Sequence, residues 1–318
     1  SAHRFSADRE ENTAEAIRSG SVTLKTQAPI ARTGEPVKAR WLTVPGVRHT
    51  PGGKEDDRRR HRQVTTWLFS ELLDELAPRI LALPSRVPLT ICLPASNGFT
   101  PEENTSLWQE CWFARSLRPA VSFLETEFPS NLMVLDTWLD ETLANTHLRA
   151  TLVISVQLHP LLGATPAAGT AEAGAALLLV PASLAQQHQM PGIAHLHRPV
   201  QSLLDQPSDA LLHAPRWAGV EPAQIASSWQ TGLDAAETGA LREPAMKLSL
   251  TAPAIDLDQS VGHTGIAAPW LALSCAASLL RGKIKEQIVI VGQEKHIHCA
   301  VLKRASDETT AHDRRTVD

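Results

Sequence analysis

The sequence predicts an α/β fold in which strand–helix units occur twice and mixed sheets enclose buried helices. Three observations lead there. Residues 151–156 and 174–180 are near-continuous apolar runs, the pattern of strands covered on both faces. Residues 270–280 are apolar or small on every side, the pattern of a helix surrounded by protein. Finally, the order helix–strand–strand closes each half of the chain, over residues 138–180 and again over 266–302.

In chain order, residues 1–60 are polar and broken by Pro and Gly, with strand character only at 21–25 and 39–44, and read as an N-terminal segment with short strands. The block Lys54-Glu55-Asp56-Asp57-Arg58-Arg59-Arg60-His61 carries both signs and reads as a solvated loop and first turn. Residues 61–180 form a first half. Val64, Trp67, Leu68, Leu72, Leu73, Leu76 and Ile80 fall on one face at helical spacing, predicting an amphipathic helix to about Leu83. A short strand follows at 87–93. Thr100-Pro101-Glu102-Glu103 is a helix start, with Thr as N-cap, Pro at the first position and Glu at the third. That helix carries Leu107, Trp108, Cys111 and Trp112, and a further helical stretch is expected at 120–128. Leu132-Met133-Val134-Leu135 reads as a strand, with Asp136 capping a helix that runs to about His147.

The second half spans residues 181–304. It reads as a strand at 193–197, polar helix or loop at 199–212, a helix at 222–241 and a strand at 246–250. The buried helix follows. Thr264 is its expected N-cap, Pro269 lies in its first turn, and Gly282 sits just past its end. Strands at 287–291 and 297–302 complete the half, and residues 305–318 read as a disordered tail.

At 318 residues, 43% hydrophobic and 20% charged, the chain has the composition of a globular protein with a sizeable core. A formal net charge of -4 and the lack of a basic stripe argue against nucleic acid as a partner. The four cysteines, Cys92, Cys111, Cys275 and Cys299, are dispersed without a C-x-x-C pair and read as buried thiols of a reducing compartment. With no signal-peptide pattern and no apolar run of about 20 residues, a cytoplasmic protein without a membrane span is expected.

Three segments carry a resemblance. Val261-Gly262-His263-Thr264-Gly265 before an Ala-rich helix resembles the Gly-His-Thr segment of β-ketoacyl synthases, where the histidine belongs to the active site. Glu172-Ala173-Gly174-Ala175-Ala176-Leu177-Leu178-Leu179-Val180 resembles the Glu-Gly-Ala-rich strand that closes their first half, and residues 57–94 resemble their early helix and strand. The resemblance covers roughly residues 55–304 and implies a thiolase-like fold. It further implies a cysteine nucleophile at the start of a buried helix, where the helix dipole lowers the thiol pKa, with two histidines (or His and Asn) to polarise the thioester. The matching corner here holds Asp136, and no Cys or Ser. Among the expected histidines only His263 has a counterpart, and Asp256-Leu257-Asp258-Gln259-Ser260 stands where the family has a lysine. Asp136 and His263 are thus expected to be degenerate positions, with no catalytic residue and no cofactor.

A degenerate thiolase-like domain resembles the type VI secretion lipase-effector adaptor family. That resemblance implies an adaptor or chaperone that binds a secreted effector, or a component of the secretion spike. The alternatives are a condensing or acyl-transfer enzyme with a displaced nucleophile, and an inactive partner subunit of one; a homodimer is compatible with all three. His195-Leu196-His197 and His296-Ile297-His298 each lack the further ligands a metal needs, so no metal is expected. Trp217 and Trp229, in the least regular region, are the expected binding residues, since aromatics are enriched at interface centres. Trp67, Trp108 and Trp270 lie on helical faces and are expected in the core.

Overall fold

A computed structural model of the chain describes residues 1–118, 122–123, 131–144, 148–280 and 286–305. The first half contains β1 (Ala2–Arg4), α1 (Ala14–Arg18), β2 (Thr26–Gln27), β3 (Val37–Lys38), α2 (Lys54–Leu81), β4 (Leu89–Cys92) and β5 (Ala95–Ser96). It continues with α3 (Pro101–Phe113), β6 (Ser122–Phe123), α4 (Val134–Ala144), β7 (Ala150–Gln157) and β8 (Ala173–Leu179). Its main sheet has the order β1-β8-β7-β4-β6. β8 is antiparallel to both neighbours, while β7, β4 and β6 run parallel.

The second half contains α5 (Ala182–Gln187), β9 (Ala194–Leu196), β10 (Val200–Leu203), α6 (Ser208–Trp217), β11 (Ser227–Thr231) and α7 (Ala235–Lys247). Then come β12 (Ala254–Asp256), α8 (Leu257–Ser260), α9 (Ala268–Leu279), β13 (Glu286–Gln293) and β14 (His296–Arg304). The order β10-β14-β13-β11-β12 repeats that of the first sheet, again with an antiparallel penultimate strand. The duplication expected from element order is therefore a duplication of topology.

Side-chain alternation stacks the layers. Val289 and Val291 of β13 face α9 in the central core, whereas Ile288 and Ile290 pack outward under α6 and α7. The first sheet does the same, with Val153 on the central side and Leu152 and Ile154 under α2 and α3. Ten of the twelve residues of α9 are buried, as its uniformly apolar composition requires. No helix among the described residues is long and apolar enough to cross a membrane.

Several elements depart from the expectations. The charged block at 54–61 is the opening of α2, and Asp57, Arg60 and His61 lie on the same buried stripe as Val64, Leu68 and Leu72. The apolar quartet at 132–135 is a turn and the first residues of α4, because a short apolar run suits a buried helix start as well as a strand. Ser122–Phe123 pair with Thr90–Ile91 as a strand where a helix was expected. The expected helix at 222–241 contains instead the central strand β11, and the expected strand at 246–250 is the end of α7 and its following turn. Residues 200–203, read as polar helix or loop, form β10, and Ala2–Arg4 supply the edge of the first sheet. The Gly282 cap and the tail beyond Ala305 lie outside the described residues.

Candidate functional site

The segment Val261–Ala267 turns β12 and α8 into α9, and its glycines dictate how. Gly262 adopts φ +108, and a Cβ there would lie 2.8 Å from the Ala171 Cβ. Only glycine accepts that backbone and that approach at no cost. The close approach lets His263 bond through its backbone to the first half: its N–H donates to Gly169 O at 2.8 Å, and its carbonyl accepts from Ala171 N at 2.9 Å. One residue pair on, Ile266 N–H donates to Gln157 Oε1 at 3.3 Å while Ser155 Oγ donates to Ile266 O at 3.1 Å. The start of α9 is thus held by the end of β7 and the loop before β8. Thr264 begins the single 3-10 turn ahead of α9 but makes no side-chain cap bond.

This leaves the His263 imidazole half-exposed, with Nδ1 3.6 Å from Asp258 Oδ2. The Asp258 carboxylate also accepts from Thr231 Oγ1 at 2.7 Å and from Gly232 N–H at 2.6 Å. Interaction with that carboxylate holds the His263 pKa above its ordinary value, outweighing the opposing effect of partial burial. The arrangement is a protonatable imidazole oriented by a fixed carboxylate, at the corner where β11 ends and α9 begins. Asp258, Thr231 and Gly232 were not singled out from sequence; the acidic pair Asp256 and Asp258 just before Gly262-His263 was the visible signal.

Behind this corner lies a buried ion pair. Arg60 of α2 and Glu172 have fully buried side chains and meet through two nitrogens, at 2.9 and 2.6 Å. Glu172 also accepts from Leu42 N–H and His159 N–H, each at 2.9 Å, and Arg60 donates to Leu42 O. The Asp57 carboxylate accepts from the backbone N–H groups of Leu161, Leu162 and Gly163. The block expected to be solvated therefore fastens the loop between β7 and β8, which in turn fastens His263.

The start of α4 is built differently. Leu132, Val134 and Leu135 are buried in the central core. Asp136 is the third residue of α4 and not its N-cap, since the helix begins before it; its carboxylate lies 2.8 Å from Arg198 Nη1. Asp136 and His263 thus stand near the starts of α4 and α9, each bound to the opposite half of the molecule.

The four thiols are free and buried, Cys92 and Cys299 in strands, Cys111 within α3 and Cys275 within α9. Burial pushes the Cys92 pKa up to about 12 and raises the other three. Among the described residues no three His, Cys, Asp or Glu side chains are grouped as a metal would require. His298 Nε2–H donates to Gln201 Oε1 at 3.1 Å, and burial lowers its pKa to about 4.

Of the two tryptophans expected at a binding surface, Trp217 is 61% exposed at the end of α6. Trp229 is fully buried on the central side of β11, where Nε1 donates to Gln287 Oε1, and Gln287 Nε2 in turn donates to Ala276 O of α9. It fills the core and presents no surface, which corrects the expectation. Trp108 and Trp270 are core residues as expected.

No protein-family description and no curated protein matches the sequence. Solved structures do match the fold. The ishigamide ketosynthase/chain length factor is 16% identical with a TM-score of 0.59, over 92% of this chain and 94% of that one. A β-ketoacyl synthase from Burkholderia phymatum STM815 is 11% identical with a TM-score of 0.59, over 94% and 96%. The AntDE:AntF complex, a type II polyketide acyl-carrier protein with its ketosynthase, matches at 13% identity and a TM-score of 0.57, over 92% and 95%. With its two sheets of one topology around buried helices, the chain has the thiolase-like fold of the ketosynthases.

Proposed function

We propose that the chain is a non-catalytic thiolase-like protein that works by binding another protein, as an adaptor that takes a secreted effector to a type VI secretion apparatus. The observation that carries the non-catalytic part is the chemistry at the two helix starts. Acyl transfer by this fold needs a thiolate where a helix dipole can stabilise it. All four cysteines are instead buried, with pKa values raised by burial. The described start of α4 holds Asn131, Leu132, Met133 and Val134, and among the described residues the ion partner of His263 is Asp258.

What remains to work with is surface. Trp217 and Leu212 on α6 and Met246 on α7 are exposed, and these two outer helices pack against each other. Exposed aromatic and flexible apolar side chains are the types enriched at protein interfaces. The test is co-purification with a lipase effector encoded beside the chain. The adaptor captures it, Trp217→Ala weakens capture, and deleting the gene stops secretion of that effector while fatty-acid synthesis continues.

A second reading, a condensing or acyl-transfer enzyme or its inactive partner subunit, draws support from the fold and from the oriented His263–Asp258 pair. An acyl adduct found by mass spectrometry after incubation with an acyl thioester favours the enzyme. Stoichiometric co-purification with a ketosynthase favours the partner subunit. Either result without effector capture ends the adaptor reading.

A further inference from the structure

Three histidines from three segments stand around the buried Arg60–Glu172 pair. His49 precedes α2, His61 lies on α2, and His159 lies in the loop of residues 158–172 that joins β7 to β8. The Glu172 carboxylate has no acceptor position to spare. Its Oε1 accepts from Arg60 Nη1 and His159 N–H, and its Oε2 from Arg60 Nη2 and Leu42 N–H. That uses the about four lone-pair positions a carboxylate offers. Arg60 donates further to Leu42 O and, at 3.4 Å, to His159 O, which also accepts from His61 Nε2–H at 2.9 Å.

Nε2 of His49 and Nε2 of His159 are shielded from solvent and make no hydrogen bond among the described residues, and the same is true of Arg60 Nε. A neutral imidazole tolerates this, because one ring nitrogen carries no proton; an imidazolium carries an N–H on both. Protonation therefore adds a donor without an acceptor, and a second positive charge beside Arg60. The other charged groups around the loop are already engaged. Asp57 accepts from the Leu161, Leu162 and Gly163 N–H groups, and Asp56 from Gly53 N–H with Arg59 beside it. Arg58 pairs with Glu103, Arg40 with Glu11, and His263 with Asp258. Burial lowers the pKa of both rings against the opposing charge of Glu172. Arg60 adds to the lowering at His49; His61 and Arg60 add to it at His159, where the Ala171 backbone opposes. With folded values below the ordinary one near 6.5, each ring favours the closed loop fully above that pH, and the contribution is lost as pH falls below it.

We propose that this node is an acid-released latch, in which proton uptake by His159 and His49 frees residues 158–172 from α2 while the sheets and α9 stay folded. Gly169 O and Ala171 N hold the backbone of His263, so release of the loop loosens the corner where α9 begins. The latch does not depend on whether the chain is an adaptor or a synthase.

The test is amide hydrogen exchange of the full chain between pH 7.5 and 5.5, corrected for the intrinsic pH dependence of exchange and repeated in low denaturant. The N–H groups of Leu161, Leu162 and Gly163, which donate to Asp57, and those of Ala171 and Glu172 report on the loop. Amides of α9 report on the whole fold. Each histidine contributes up to about tenfold per pH unit below its ordinary value, so loop exchange is expected to rise about tenfold or more at pH 5.5. A local opening exposes little surface, so that rise is insensitive to low denaturant, whereas α9 exchange through unfolding is accelerated by it. His159→Gln and His49→Gln each reduce the rise, and together they abolish it; the wild-type series is decisive without them. Loop exchange that does not change with pH, a rise that grows with denaturant as α9 exchange does, or an undiminished rise in the double variant overturns the proposal.

Discussion

α4 and α9 begin in the same topological place and are secured in opposite ways. α9 starts from a turn whose backbone is bonded to the first half, with a positive-φ glycine against Ala171 and a buried Arg60–Glu172 pair behind the loop it touches. Among the described residues α4 starts from a turn packed by apolar side chains, with partly exposed ion pairs from Arg198 to Asp136 and Asp140 as its polar ties to the second half. The difference teaches that repeating a topology does not repeat its energetics. One corner is a rigid support for a protonatable side chain, and the other is a solvated contact between halves.

The largest expected effect is at Arg60. Arg60→Met leaves the Glu172 carboxylate buried without its partner, at a cost of about 3–5 kcal/mol. Denaturant unfolding measures it, and adding Glu172→Gln recovers part of the loss. Next is His3 on β1, fully enclosed, with Nδ1 3.0 Å from Ser274 Oγ of α9. Burial first, then the charges of Arg4 and the N-terminus, lower its pKa to about 3. The unfolded chain therefore binds the proton more readily. Stability is full above the ordinary value near 6.5 and falls by about 1.4 kcal/mol for each unit of acidification below it, levelling out near the folded value. His3→Gln flattens that acid limb in pH-dependent melts.

Gly262→Ala is expected to cost about 1–3 kcal/mol, combining a positive φ with the contact to Ala171. Arg198→Ala, at the α4 start, is expected to cost about 1 kcal/mol or less, because both partners are partly solvated. If it costs as much as Arg60→Met, the contrast between the two corners is wrong. The smallest effect concerns His263. With its folded pKa raised by Asp258, its contribution is complete below the ordinary value near 6.5 and fades as pH rises through the folded value. An NMR titration shows the elevated midpoint, and Asp258→Asn returns it toward the ordinary value.

How much of this could be read from residues differs by element. The strands at 150–157 and 173–179 and the buried helix α9 announce themselves through apolar runs too long to be accidental. β11 does not, because Ser227, Ser228, Gln230 and Thr231 are polar, although all five of its residues are buried. It is central because its neighbours β12 and β13 satisfy its backbone and because Trp229 finds Gln287. Local composition cannot reveal partners that lie tens of residues away. The same holds at the site. His263 stood out by its flanking glycines and Asp258 lies just before it in the chain, but the hydroxyl that orients that carboxylate, Thr231, comes from 27 residues before Asp258.

Residue order alone dictated the duplicated α/β plan, the enclosed helix and the dispersal of the thiols, because periodicity and composition are local properties. Packing chose the rest. Arg60 reaches Glu172 across a separation of 112 residues, Trp229 goes inward while Trp217 stays out, and Asp136 becomes a surface ion pair. Each of those outcomes depends on what another part of the chain brings alongside, and such encounters exist only once the two halves have closed on each other.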